Sequence, residues 1–236
     1  KRAIEEKDEL IKGYGWINDE RLFFVMDKGG NENYHLFASN IDGSNTRDLT
    51  PFDGVKASIL NMLKEQKDYM IISMNKNNPQ IFEPYKLNVV TGELTQLYEN
   101  KDAANPIQGY EFDKDGELRG YSRLVNGIES ELYYKDLATG EFRLLKKTHW
   151  DDTFGVIAFN YASKNKDEAY VLTNLESDKT RIVLYDLKQN KIIREIFANE
   201  DYDVSGLHLS RKRNYEIDLM AYEGEKSVVV PVSATY

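Results

Sequence analysis

Few residues in this sequence are of types that could do chemistry, and their spacing is poor for it. The three histidines, His35, His149 and His208, are scattered. None has the i, i+4 spacing of a helical metal pair, and a zinc centre needs about three protein ligands. Nucleophilic hydrolysis needs a serine on a sharp, glycine-flanked turn, with a histidine and a carboxylate in reach. No Gly-x-Ser-x-Gly occurs, and Gly43-Ser44 and Ser205-Gly206 fall where turns and strand starts want small residues. The absence of cysteine removes thiolate nucleophiles, disulfides and cysteine-ligated zinc together. Asp113-Lys114-Asp115-Gly116-Glu117 looks like half of a calcium loop, but such a loop needs about six oxygen ligands over about 12 residues. Asp-Gly here reads instead as a hairpin turn. No residue is therefore assigned a catalytic, cofactor-binding or metal-binding role, and no cofactor is expected.

Composition narrows the partners. With 41% hydrophobic residues and 16 Tyr, 10 Phe and 2 Trp distributed along 236 residues, the chain can bury a substantial core. A net charge of −9 works against binding phosphate, so nucleic acid is not expected. The short basic clusters Lys146-Lys147 and Arg211-Lys212-Arg213 read as solvated turns. No apolar run approaches the roughly 20 residues that span a bilayer.

The elements that would position any site repeat. An aromatic-bearing strand, an Asn or Asp, a turn and a second short strand occur at 37–49, 85–97, 133–144 and, in weaker form, 184–193. The turn residues Gly43, Gly92, Gly140 and Asn190 are 49, 48 and 50 positions apart, and each can supply the positive φ of a tight hairpin. About 20 residues before each turn runs a second apolar strand, as in Leu22-Phe23-Phe24-Val25, Tyr69-Met70-Ile71-Ile72, Leu118-Arg119-Gly120-Tyr121 and Ala169-Tyr170-Val171-Leu172. A further copy is Ile217-Asp218-Leu219-Met220. A charged turn precedes each one, with another short strand before it. Four short antiparallel strands per unit of about 40–50 residues describe a β-propeller blade. One blade cannot cover its own faces, so blades must stack.

The expected fold is all-β, a propeller with blades at about 10–51, 55–100, 105–148, 153–199 and 203–236, the last with three strands and no evident fourth. A β-sandwich also has strands every 8–12 residues, but it does not account for the 48-residue period. Residues 1–12 could be a short helix or a piece of a preceding blade. The repeated aromatics Phe37, Tyr85, Tyr133 and Tyr185 read as packing between blades before they read as a ligand-stacking ladder. Glu111, with Asp113, is the inner-strand candidate for the acid pair of a glycoside-acting enzyme, but no third acid recurs at that depth.

The run from Trp16-Ile17-Asn18-Asp19-Glu20-Arg21-Leu22-Phe23-Phe24-Val25-Met26-Asp27 through Gly29-Gly30-Asn31-Glu32-Asn33-Tyr34-His35-Leu36-Phe37 resembles a blade of the prolyl oligopeptidase family. It is similar in particular to the dipeptidyl aminopeptidase and acylaminoacyl-peptidase-like members. Arg47-Asp48-Leu49-Thr50-Pro51-Phe52, Met74-Asn75-Lys76 and Tyr85…Asn88…Thr91-Gly92-Glu93 continue the likeness. It is strongest over about residues 14–100 and generic after about 150.

The resemblance implies a propeller that gates peptide access to a C-terminal α/β-hydrolase domain in cis, with that domain carrying the serine triad of the peptidase. It implies seven or eight blades, so five would make an incomplete ring with free strand edges near both ends, open to a dimer across those edges. Pairing of residues 228–236 beside 10–17 would instead show a closed five-bladed ring. Some members hold the substrate's amino terminus with a pair of glutamates. Glu5-Glu6 is the adjacent pair here, but its surroundings do not match and the role is not transferred. Export to the periplasm or outside the cell is favoured over the cytoplasm, because relatives are often exported. The alternative is a stand-alone TolB-like propeller binding a peptide or protein partner.

Overall fold

A computed structural model describes residues 3–6 and 9–232. Among these, nineteen strands and a single three-residue 3-10 turn form five antiparallel sheets, an all-β propeller architecture. Blade 1 holds β1 (Gly13–Trp16), β2 (Arg21–Met26), β3 (His35–Asn40) and β4 (Arg47–Asp48). Blade 2 holds β5 (Ala57–Asn61), β6 (Tyr69–Asn78), β7 (Ile81–Asn88) and β8 (Leu94–Gln96). In blade 3, β9 (Ile107–Phe112), β10 (Leu118–Val125), β11 (Glu129–Lys135) and β12 (Phe142–His149) follow one another in order. Blade 4 has β13 (Phe154–Phe159), β14 (Glu168–Thr173), β15 (Arg181–Asp186) and β16 (Lys191–Phe197). The last blade has three strands, β17 (Asp203–Ser210), β18 (Glu216–Glu223) and β19 (Ser227–Pro231). The described residues of the opening stretch, 3–6 and 9–12, contain no helix. Residues 233–236, where part of the postulated ring-closing pairing falls, lie outside the described set.

The turn after the third strand places a residue of positive φ at the same point in four blades, and blade 1 makes it one residue shorter. Gly43, Gly92, Gly140 and Asn190 have φ of 86°, 77°, 78° and 53°, the left-handed region that glycine and asparagine enter most cheaply. The residue that starts each turn fixes it with its side chain or carbonyl. Asn88 Oδ1 accepts from the N–H groups of Val90 and Thr91 at 2.9 Å, and Asp136 Oδ1 accepts from Ala138 N–H at 2.9 Å. Asp186 Oδ1 accepts from Gln189 N–H at 2.7 Å. The bond from Ala138 also holds the Asp136 carboxyl below the usual carboxylate range.

The chain divides into two compact units, residues up to Leu118 and from Arg119 onward. In the first, Leu36, Ala38 and Leu49 of blade 1 pack with Met70, Ile72, Met74, Tyr85 and Leu87 of blade 2 in one continuous core. In the second, Leu132, Tyr134 and Leu145 of blade 3 pack with Phe159, Ala169, Val171, Val183, Tyr185 and Leu187 of blade 4. The opposite face of blade 4 carries Tyr170, Ile182 and Leu184, which meet Val204, Leu207 and Ile217 of the last blade. A strand buried on both faces loses the alternation of a half-exposed strand. That is why the second strands read as unbroken apolar runs.

Polar side chains tie neighbouring blades together at separations close to the repeat. Asn18 Nδ2 donates to Lys67 O at 3.1 Å, Gln66 Nε2 to Asp115 O at 2.6 Å, and Arg119 to Lys166 O at 2.7 Å. Arg47 and Arg143, each just after its own turn, donate to Val90 O at 2.6 Å and Lys188 O at 2.5 Å in the following blade.

Candidate functional site

The three histidines stay apart, each beside one aspartate of its own blade. His35 Nδ1 lies 2.7 Å from Asp48 Oδ2 in a half-buried pair. Asp48 also accepts from Thr50 N–H at 2.9 Å, and Thr50 Oγ1 accepts from Leu36 N–H at 3.0 Å, so this pair pins the end of blade 1. His149 pairs with Asp151, and His208 lies 3.5 Å from the buried Asp218, which also meets Arg213. Among the described residues no three His, Asp or Glu side chains gather as a metal site would require.

The carboxylates separate by environment. Asp113 Oδ1 accepts from the N–H groups of Asp115 and Glu117 at 3.0 Å, which makes it the organiser of a hairpin. Glu111, on β9, is half-buried, and burial pushes its carboxyl up to about 7. Glu83 is buried but satisfied: Asn77 donates to it at 2.7 Å and Asn100 N–H at 2.9 Å. Glu131 accepts from Arg123 at 3.0 Å and from the Tyr133 hydroxyl at 2.9 Å. Burial works against its charge, but these bonds leave the carboxyl lowered overall. Each of these bonds stays within its own blade and its close neighbourhood.

Tyr85 and Tyr185 of the aromatic repeat pack between blades as expected, whereas Phe37 and Tyr133 stack within their own blades, and one member is displaced. Phe37 stacks on Phe24 at 5.1 Å between ring centroids, and Tyr133 on Tyr121 at 4.9 Å. Phe37, Tyr85 and Tyr133 each lie three residues before the Asn or Asp that starts the turn, whereas Tyr185 immediately precedes Asp186. The fourth aromatic is thus two positions nearer the turn on the same strand face. Val183 takes the place where an aromatic repeat would put it.

Tyr185 lines a cavity of about 280 Å³ in the second unit. Phe154 of β13 and Tyr185 meet edge to face at 5.2 Å, and the Tyr185 hydroxyl donates to Asn190 Oδ1 at 2.6 Å. Lys146 of β12 holds its ammonium 5.3 Å from the Phe154 ring centre and 5.8 Å from that of Tyr185. Glu176 and Lys191 complete the rim. Burial raises the Tyr185 phenol to about 12, with the Glu176 charge adding to it. Sequence reading missed this site because Lys146-Lys147 looked like a turn. Both lysines in fact lie in strand β12, while Arg211–Arg213 do form a 3-10 turn.

No family model matches the chain. Dipeptidyl aminopeptidase BIII from Pseudoxanthomonas mexicana is 31% identical over 110 residues, 46% of this chain and 16% of that relative. A prolyl endopeptidase structure superposes with a TM-score of 0.63 at 15% identity, over 93% of this chain and 34% of its own. Prolyl oligopeptidase B from Galerina marginata gives 0.61 at 12%, covering 94% and 33%. These two peptidase structures share the fold of this chain. The chain spans about a third of their length. A TolB candidate from Agrobacterium tumefaciens shares the fold with a TM-score of 0.51 at 14% identity, over 92% of this chain and 70% of its own.

Proposed function

We propose that this propeller belongs to a serine peptidase and controls which peptides reach a C-terminal hydrolase domain in cis. The observation that carries the reading is the 31% identity over 110 residues to a dipeptidyl aminopeptidase, supported by the propeller fold shared with two prolyl peptidases. In this role the propeller supplies no reacting group. It limits entry by size, so that short or unstructured peptides pass and folded proteins do not, and it shields the reaction from bulk water. The five blades would form part of a larger ring. Peptides are the substrate class, and an acylaminoacyl- or dipeptidyl-releasing activity suits the relative.

The test is to assay the full-length protein on peptides of graded length. The reading expects cleavage of peptides up to a few tens of residues and none of a folded protein of the same sequence content. Equal cleavage of both would remove the gating role.

A second reading, a binding propeller of the TolB kind, rests on the 70% coverage of the Agrobacterium tumefaciens structure. It expects affinity for a peptide or protein partner without hydrolysis by the full-length protein.

A further inference from the structure

The cavity between blades 3 and 4 has the chemistry of a recognition site, and neither the packing nor the proposed gating accounts for it. It is lined by two aromatic rings, two lysines and one glutamate, and Lys191 and Glu176 make no ion pair. Lys146 is likewise without an acidic partner and lies over two rings. Exposed lysines that simply solubilise a surface normally extend into water, with only the stem on apolar neighbours. Here an ammonium sits above an aromatic corner, where the ring faces favour a cation and a ligand's anion would meet it directly. Glu176 and Asn190 are both held at positive φ, 64° and 53°.

The contents follow from size and charge. About 280 Å³ is at the small end for ligand cavities, which run from roughly 300 Å³ upward. It is large enough for one residue with its terminal group. The two cations against one anion favour a ligand carboxylate, and Phe154 and Tyr185 favour an aromatic or large apolar side chain beside it. We propose that this pocket binds the carboxyl-terminal residue of a peptide, with the carboxylate between Lys146 and Lys191 and the side chain against Phe154 and Tyr185.

The same construction is absent from blade 2, which supports a local specialisation. The first residue pair of β13 and β14 is Phe154 with Thr173, and that of β5 and β6 is Ala57 with Met74. The residue before the turn-starting Asn or Asp is Tyr185 in blade 4 and Leu87 in blade 2. Ala57, Met74 and Leu87 all lie inside the first unit's core.

The test is a titration of the isotope-labelled chain with three probes, read by amide chemical-shift changes. Acetyl-glycyl-phenylalanine should shift the amides of Lys146, Phe154, Tyr185 and Lys191 with a dissociation constant near the millimolar range expected for so small a ligand. Its carboxamide should bind at least tenfold more weakly, and added salt should weaken the acid form. Lys146→Met, which keeps the stem over the rings, should weaken the acid about five- to tenfold and leave the amide form unchanged. Glu176→Gln removes a repelling charge and should tighten the acid form about twofold without altering the fold. Equal binding of acid and amide, or shifts elsewhere on the molecule, would overturn the proposal. Free phenylalanine binding more tightly than the acetylated dipeptide, with Glu176→Gln weakening it, would replace a peptide end by a free amino acid and overturn it equally. None of these outcomes depends on whether the full-length protein is a peptidase.

Discussion

Blades 2 and 4 follow one plan and spend their residues differently. Blade 2 has long middle strands, β6 of 10 residues and β7 of 8, and an outer strand of 3. Blade 4 has middle strands of 6 and 6 and an outer strand of 7. In blade 2 the space beside the first and third strands is filled by apolar side chains of the blade itself and of blade 1. In blade 4 the corresponding space holds an aromatic corner, a lysine and a cavity. The lesson is that a repeat fixes backbone and turn, while the identity of a few inward-facing residues decides whether a position becomes core or site. The long outer strand β16 adds a second difference, because its first five residues are exposed, with Ile192 and Ile193 at 40% and 42%. Lys191, Arg194 and Glu195 are the charges that discourage another strand from pairing there.

The largest effect expected is in the filled region. Ile72→Ala, in the middle of β6 and with no exposure, should cost about 3–4 kcal/mol in urea unfolding, as other buried Ile-to-Ala changes do. Ile193→Ala in β16 should stay within about 0.5 kcal/mol. Similar losses at the two sites would erase the distinction between filled and open blades.

A smaller effect separates two acids of the first unit. The Glu111 carboxyl titrates near 7 when folded, against 4.5 for its ordinary value. Between those values the folded state binds more protons than the unfolded one, so this group's contribution falls as pH rises from about 4.5 to 7 and stays low above it. Glu111→Gln should therefore stabilise the chain by about 2–3 kcal/mol at pH 8 and leave it unchanged at pH 4. Thermal melts across that range would show a curve that flattens in the variant. Glu83→Gln should instead destabilise the chain, because Asn77 Nδ2 and the Asn100 N–H donate to both carboxylate oxygens and the new amide nitrogen would face one of these donors.

The turns should differ by about 1–2 kcal/mol. Gly92→Ala places a methyl group at φ 77° with the Arg47 guanidinium 3.1 Å away, so it loses both backbone comfort and the cross-blade bond. Asn190→Gly keeps the backbone comfortable at φ 53° but removes the acceptor of the Tyr185 hydroxyl, and should cost only about 0.5–1 kcal/mol. The smallest effect is at the cross-blade arginines. Arg47→Ala and Arg143→Ala, each removing an exposed bond to a carbonyl, should cost about 0.5–1 kcal/mol apiece. Equality between them would show that the cross-blade tie is part of the shared plan.

Much of this architecture could be read from the sequence because the turn chemistry and the apolar runs share one period. Gly43, Gly92, Gly140 and Asn190 mark the same hairpin in four blades, and the second strands fall in β2, β6, β10, β14 and β18. The cavity was not legible. Its signal is a two-residue shift of one aromatic, Tyr185, and that shift matters only once strand register is known. Lys146 gave a misleading cue, since adjacent lysines look the same in a turn and on an outer strand. The raised pKa of Glu111 likewise depends on burial that a lone glutamate in a strand pattern does not announce.

The central functional claim is tested most directly by reading the natural coding sequence downstream of Tyr236. The account predicts a hydrolase domain of about 250 residues, a typical size for one large domain, with Gly-x-Ser-x-Gly followed by an aspartate and a histidine. A stop codon within the length of one further blade would contradict it and leave a binding propeller in its place.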